Sequence, residues 1–297
     1  MPALSPFTMR TATMSSLPPP VELDFHGLPA LKLSAPGGAS AVITRHGAQL
    51  LSWTPVGGAE RLFLSDAAVF DGRQAIRGGV PVIFPKFGGD GPLRHGFARG
   101  LPWEVVDARS GEDFSTVTLR LVDSDATRAL WPHAFEIEMT VMLSGKRLDL
   151  ELGVENPGNR AFSFTAALHT YLQVHEVENV TLRGLEGLSY VDQLSNGAMA
   201  EEEREALLVD REVDRIYLRV NKPLVLTHPR GGAVALEQQG FPDVVVWNPW
   251  EEKCAALPDM QKDGFRRMLC VEAAAAHHPI RLDAGESWFG RQTLVAM

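Results

Sequence analysis

The sequence predicts an all-β protein, a large antiparallel β-sandwich. Three observations carry this: apolar and polar residues alternate with a period of two along much of the chain, turn dipeptides separate the alternating runs, and helical periodicity is scarce. The clearest run is 135–143, where Phe135, Ile137, Met139, Val141 and Leu143 alternate with Glu136, Glu138 and Thr140, and Met142 alone breaks the pattern. Ser144-Gly145 makes a turn. Leu148, Leu150, Leu152 and Val154 then alternate with Asp149, Glu151, Gly153 and Glu155 up to Asn156-Pro157-Gly158. Successive strand residues point to opposite faces, so this is a hairpin with one apolar and one wet face.

Further strands are expected at 40–44, 50–53, 116–122, 162–174, 215–220, 224–227, 233–237, 244–247, 268–274 and 288–295. The best helix candidate is 201–209, and 126–131 can form one turn ahead of Pro132. No fixed-period repeat and no long linker divides the body, so residues 21–297 are expected to form a single β-sandwich domain. Residues 1–20 are rich in Ser, Thr, Pro and Met and lack a continuous apolar segment. They read as a flexible N-terminal tail, not as a secretory signal or membrane anchor.

With 45% hydrophobic and 22% charged residues among 297, the chain has ample material for a core. Its net charge of −9 argues against a nucleic-acid partner. No stretch approaches the roughly 18 apolar residues of a spanning helix, so no membrane is expected. Cys254 and Cys270 lie in apolar surroundings and read as buried free thiols, which suits a reducing cytoplasm. A cytoplasmic monomer is the expectation.

Against that acidic background, the segment from Arg73 to Arg99 inverts the charge: Arg73, Arg77, Lys86, Arg94 and Arg99 stand against Asp90 alone. Gly78-Gly79, Gly88-Gly89, Pro81, Pro85 and Pro92 make it loop-rich, the setting in which sites are displayed. Forked guanidinium groups suit a compact anion such as a phosphate ester. Pairing of these arginines with carboxylates elsewhere is the alternative. His95 lies within the segment, between Arg94 and Gly96.

Three other places could hold chemistry. In 162–174, His169 shares its face with Ser163, Thr165, Tyr171 and Gln173, a polar floor fit for a polar ligand, although a hydrogen-bonded histidine without function has the same look. In 266–276, Glu272 is the lone acid in an apolar run. Desolvation there raises its pKa and makes a base competent near neutral pH, unless an arginine pairs with it. In 243–250, Trp247-Asn248-Pro249-Trp250 ends an apolar strand; tryptophan faces pack against sugars and Asn bonds hydroxyls, or the tryptophans merely close the core. Zinc spacing, P-loop, dinucleotide fingerprint and G-x-S-x-G are missing, so no metal and no cofactor are expected.

The strings IRGGVPVIFPKFG (76–88), RHGFAR (94–99), LHTYLQV (168–174), DVVVWNPW (243–250) and LCVE (269–272), in this order, resemble the aldose 1-epimerase family, most closely its hexose-6-phosphate branch. The likeness runs over about 23–294. It implies a galactose mutarotase-like supersandwich that binds a sugar on one concave sheet. It also implies His169 as general acid, Glu272 as general base, Arg77 and Arg99 as ligands of the substrate and its phosphate, and Asp192 as a ligand of sugar hydroxyls. Arg94 falls at a binding position where other members can carry glutamine, and His95 borders the same cleft; Trp247 would pack on the sugar. After LCVE the chain continues with Ala273–Ala276 where some relatives have Pro-Gly, which alters the cleft wall there. The expected activity is therefore interconversion of the anomers of a small-molecule substrate, a hexose 6-phosphate. The alternatives are an epimerase of unphosphorylated aldoses and a non-catalytic sugar-phosphate binding protein.

Overall fold

The hairpin read from residues 135–155 is present as β8 (Glu136–Ser144) and β9 (Arg147–Glu155), paired from Glu136↔Glu155 to Ser144↔Arg147. Ile137, Met139, Val141, Leu143, Leu148, Leu150, Leu152 and Val154 are all buried, so the alternation marks the inner face. The computed structural model describes residues 17–89, 91–229 and 232–297, so the tail expected at 1–20 lies largely outside the described residues. Where it enters, Leu17 N–H donates to Gly111 O and Ser110 Oγ donates to Pro18 O.

Three antiparallel sheets make up the body. A nine-stranded sheet runs in the order β15 (Ala206–Leu207), β12 (Thr181–Arg183), β17 (Leu224–His228), β18 (Gly232–Gln239), β21 (Ser287–Ala296), β9, β8, β7 (Ser115–Val122), β6 (Glu104–Ser110). Packed against it is an eight-stranded sheet: β14 (Ala198–Glu201), β13 (Ser189–Asp192), β16 (Val213–Tyr217), β19 (Asp243–Asn248), β20 (Met268–Leu282), β10 (Phe162–Leu168), β5 (Val82–Ile83), with β11 (Tyr171–Gln173) also pairing β20. A four-stranded meander, β1 (Val21–Phe25), β2 (Leu28–Ala35), β3 (Ala39–Thr44) and β4 (Leu50–Thr54), completes the set. One continuous apolar core fills the space between the layers. It joins Val117, Ile137 and Leu150 of the nine-stranded sheet to Phe164, Val246, Val271 and Ala273 of the other. The two large sheets thus form the expected sandwich.

Two expectations need correction. Residues 201–209 form no helix. Glu202 is buried and accepts hydrogen bonds from Tyr217 Oη (2.9 Å), Arg215 Nη1 (2.9 Å) and Arg204 Nε (3.2 Å), so the chain runs on as short strand segments. Tertiary pairing of one buried carboxylate overrides a local helix propensity. The strand expected at 162–174 is interrupted at His169-Thr170, dividing it into β10 and β11. The turn at 126–131 is α1 (Asp125–Leu130), capped by Ser124, whose Oγ accepts from Thr127 N–H.

β20 is longer than the expected 268–274. Its register against β10 slips between Phe164↔Ile280 and Ala166↔Ala275, which leaves a bulge just beyond the alanine run. Asp243, fully buried, holds that bulge. Its Oδ2 accepts from the N–H groups of Ala276, His277 and His278, and its Oδ1 meets His278 Nδ1 at 2.7 Å.

Candidate active site

β20 places the carboxyl of Glu272 and the chain interruption places the imidazole of His169. On either side of the interruption the register is the same, Leu168↔Ala273 and Tyr171↔Cys270, so residue 169 stands opposite residue 272. The two are cross-strand neighbours on one face, and Nδ1 of His169 lies 3.4 Å from Oε1 of Glu272. They share a cavity of about 490 Å³ with Arg77, Arg94, His95, Arg99, Tyr171, Asp214, Trp247 and Lys253.

The same register decides which acid reaches the cavity. Val191↔Ile216, Ile216↔Val245 and Val245↔Glu272 form one row, and Asp214↔Trp247 and Trp247↔Cys270 form the next row on the same face. Asp192 pairs with Arg215, which pairs with Val246 opposite Val271, and that row belongs to the other face. Asp192 accordingly does not line the cavity: it caps the turn after β13, accepting from Leu194 N–H at 2.9 Å, with Arg215 Nε at 3.8 Å. The turn it caps carries Gln193, which does line the cavity. Asp214 is the acid sequence reasoning missed. The signal was its position two residues before Ile216, lost because the strand was started at Arg215.

Glycine sets the position of Arg77. At Gly79, with φ +60°, a Cβ would sit 2.1 Å from Leu50 O, so only glycine lets this loop close on β4. Arg77 is then held from two sides, donating from Nη1 to Tyr171 Oη (3.0 Å) and from Nε to Asp259 (3.2 Å). Its expected pairing with a distant carboxylate is therefore present. Arg94 and Arg99 differ: among the described residues neither makes an ion pair with a carboxylate, and Arg99 donates only to the Arg94 carbonyl (3.2 Å). Trp247 lines the cavity, whereas Asn248 is fully buried and donates to Phe265 O and Met268 O, both at 2.8 Å. The expectation that Asn248 meets sugar hydroxyls is corrected: its amide ties the end of β19 to the chain entering β20.

Electrostatics follow from burial amid cations. Burial, followed by the negative charge of Asp214, pushes the Glu272 carboxyl well above its ordinary range. Burial, then His95, Arg99 and Arg77, pushes His169 well below its own. His95 falls to about 4 through burial and the charges of Arg99, Arg94 and Arg77, and burial lifts Asp214 to about 6 against the opposing pull of Lys253. Among the described residues, Glu272 Oε2 and His169 Nδ1 have no hydrogen-bond partner. The pair is thus desolvated and unsaturated.

Ligand atoms of His169, Cys270 and Glu272 also lie within 4.8 Å of one another, a donor set of metal-ligating type. Burial and the neighbouring Glu272 hold the Cys270 thiol well above its ordinary range, and the surrounding guanidinium groups oppose a divalent cation. The donor set fits a proton better than a metal ion.

The fold also recurs among known proteins. Superposition on the crystal structure titled "a putative mutarotase (YeaD)" from Salmonella typhimurium gives a TM-score of 0.86 at 29% identity, covering 94% of each chain. The solved structure of HI1317 gives 0.78 at 28% identity, covering 94% of this chain and 98% of that one. Among curated proteins, the one named "Putative glucose-6-phosphate 1-epimerase" from Cenchrus ciliaris is 37% identical over 284 residues, 91% of this chain and 85% of its own length. A protein of the same name from Escherichia coli K12 is 35% identical over 77% of this chain and 78% of its own length. Residues 29–294 match the aldose 1-epimerase family, and the chain belongs to that family.

Proposed function

We propose that this protein is a glucose-6-phosphate 1-epimerase, interconverting the α and β anomers of a hexose 6-phosphate. One observation carries the reading: among the described residues, Arg94 and Arg99 stand without carboxylate partners beside a cavity that also holds the His169–Glu272 pair. Guanidinium groups left unpaired at a cavity suit a dianionic ligand group, and a neutral sugar has no use for them. The names of the relatives from Cenchrus ciliaris and Escherichia coli support the same substrate.

The reaction uses the pair directly. Glu272 as carboxylate takes the proton of the anomeric hydroxyl while His169 as imidazolium protonates the ring oxygen. The C1–O5 bond breaks and C1=O1 forms. Rotation about C1–C2 presents the other aldehyde face, O5 attacks it, and both protons return. The working state, carboxylate with imidazolium, contains the same number of protons as the resting state that burial favours, carboxylic acid with neutral imidazole. Only a proton transfer within the pair separates them, and a bound phosphate dianion offsets the arginine field that disfavours the imidazolium. Trp247 offers its face to the ring, and Asp214 and Lys253 are placed to meet hydroxyls.

The test is anomer exchange on glucose 6-phosphate by NMR, with glucose as control. His169→Ala and Glu272→Gln should each lower kcat by about 10²–10⁴-fold. Near-wild-type turnover in either variant would defeat the acid–base assignment, and equal acceleration for both sugars would defeat the phosphate assignment.

A further inference from the structure

A histidine that moves protons from one ring nitrogen is usually oriented by a hydrogen bond at the other. Among the described residues no other side chain hydrogen-bonds Nδ1 of His169, which meets Glu272 Oε1 only at 3.4 Å. Something else must fix the ring, because reacting atoms need placement to well under an ångström. Packing supplies it. The Tyr171 ring lies 4.7 Å from the His169 ring, with 9° between their planes. Trp247 meets both rings edge-on, at 6.0 Å from His169 and 6.1 Å from Tyr171.

Tyr171 is held at both ends. Phe63, buried in the core, stacks on it at 6.4 Å and 26°. At the para position its Oη accepts from Arg77 Nη1 at 3.0 Å, and Arg77 is anchored in turn by Asp259, Nε to Oδ2 at 3.2 Å and Nη2 to Oδ1 at 3.2 Å. A phenol ring tethered at its far end cannot slide across the imidazole it covers. We propose that Tyr171 is a positioning residue, whose stack sets the plane of His169 and whose tether through Arg77 to Asp259 keeps that stack in register. The inference assigns Arg77 a second duty beyond lining the cavity, and it gives Asp259, outside the cavity lining, an effect on the chemical step. It rests on the acid role proposed for His169.

The experiment compares Tyr171→Phe, Tyr171→Leu, Asp259→Asn and the double variant Tyr171→Phe/Asp259→Asn, each first shown to be folded by thermal melting. Two readouts are needed: kcat and KM for glucose 6-phosphate by anomer exchange, and the imidazole NMR signals of His169, assigned through their loss in His169→Ala. Tyr171→Leu removes the stack. It should abolish the ring-current shift of the imidazole protons and lower kcat on the order of 10²-fold with little change in KM. Tyr171→Phe keeps the stack and loses the tether, so the ring-current shift should persist and kcat should fall by about tenfold, the size of one hydrogen bond to a charged group. Asp259→Asn should match it, and the double variant should be no worse than either single one, because both changes cut the same tether. Wild-type kcat or an unshifted imidazole spectrum in Tyr171→Leu would overturn the proposal. So would additive losses in the double variant, which would make Arg77 and Tyr171 independent ligands. Should the wild type show no anomerase activity, the proposed function fails, and the NMR arm still decides whether Tyr171 orients the ring.

Discussion

Glu272 and His169 carry opposite pKa displacements, and each has a consequence for stability. The Glu272 carboxyl is raised in the fold, so above the ordinary carboxylate range the native state holds a proton that the unfolded chain has released. Stability then falls as pH rises, because the unfolded state binds fewer protons. Glu272→Gln removes the penalty. It should raise Tm at pH 8, with the gain shrinking toward pH 4. A lower Tm at pH 8 would show that the carboxylate is stabilised in the fold. His169 is lowered, so its contribution has the other sign: stability is lost as pH falls below the ordinary imidazole range. Charge removal at Arg99 gives a kinetic counterpart. Arg99 pulls both groups down, so Arg99→Ala should move both limbs of the kcat/KM pH profile to higher pH, besides raising KM for glucose 6-phosphate more than for glucose. Unmoved limbs would place Arg99 outside the field of the pair. At this scale the sequence showed the residue types and not their partners: a lone acid in an apolar run announced Glu272, but nothing local separated Arg77, with its Asp259 182 residues away, from Arg99, which has no carboxylate partner among the described residues.

Elements were legible where a strand has one wet face and obscure where both faces are buried or a side chain is captured from afar. The β8–β9 hairpin could be read residue by residue because its outer face meets water. β19 is buried at every position, so its period carried no facing information, and Asn248 looked like a ligand residue. It is instead a clasp: one amide serves two carbonyls from the segment that leads into β20, while Oδ1 accepts from Trp250 N–H at 2.9 Å. Asn248→Ala leaves these buried groups unpaired and should cost about 3 kcal/mol, a Tm fall of roughly 5 °C. The KM of the folded fraction should change little, since the amide does not line the cavity. A raised KM with unchanged Tm would return Asn248 to the substrate. Asp192 and Asp214 make the same point about register. A strand begun two residues late leaves the cavity-facing acid out, and the acid that remains sits one residue out of phase with the cavity face.

For the whole molecule, the decisive contrast is a net charge of −9 around a cavity lined by Arg77, Arg94 and Arg99. The two fields act on a phosphate dianion with different reach. A chain of this length has a radius of gyration of roughly 19 Å. At 0.1 M salt the Debye length is about 10 Å, so repulsion from acids spread over the surface is largely screened before the substrate arrives. In the proposed reading, attraction to Arg94 and Arg99 acts at contact, within a few ångströms, and is still intact at that ionic strength. Raising salt from about 0.1 M to 1 M shortens the Debye length to about 3 Å and erodes only the second field. KM for glucose 6-phosphate should therefore rise several-fold over that range while KM for glucose stays flat, and the slope should shrink in Arg99→Ala. Were KM for the phosphate ester to fall with salt instead, long-range repulsion would be the larger force, and the unpaired guanidinium groups could not be what recruits the substrate.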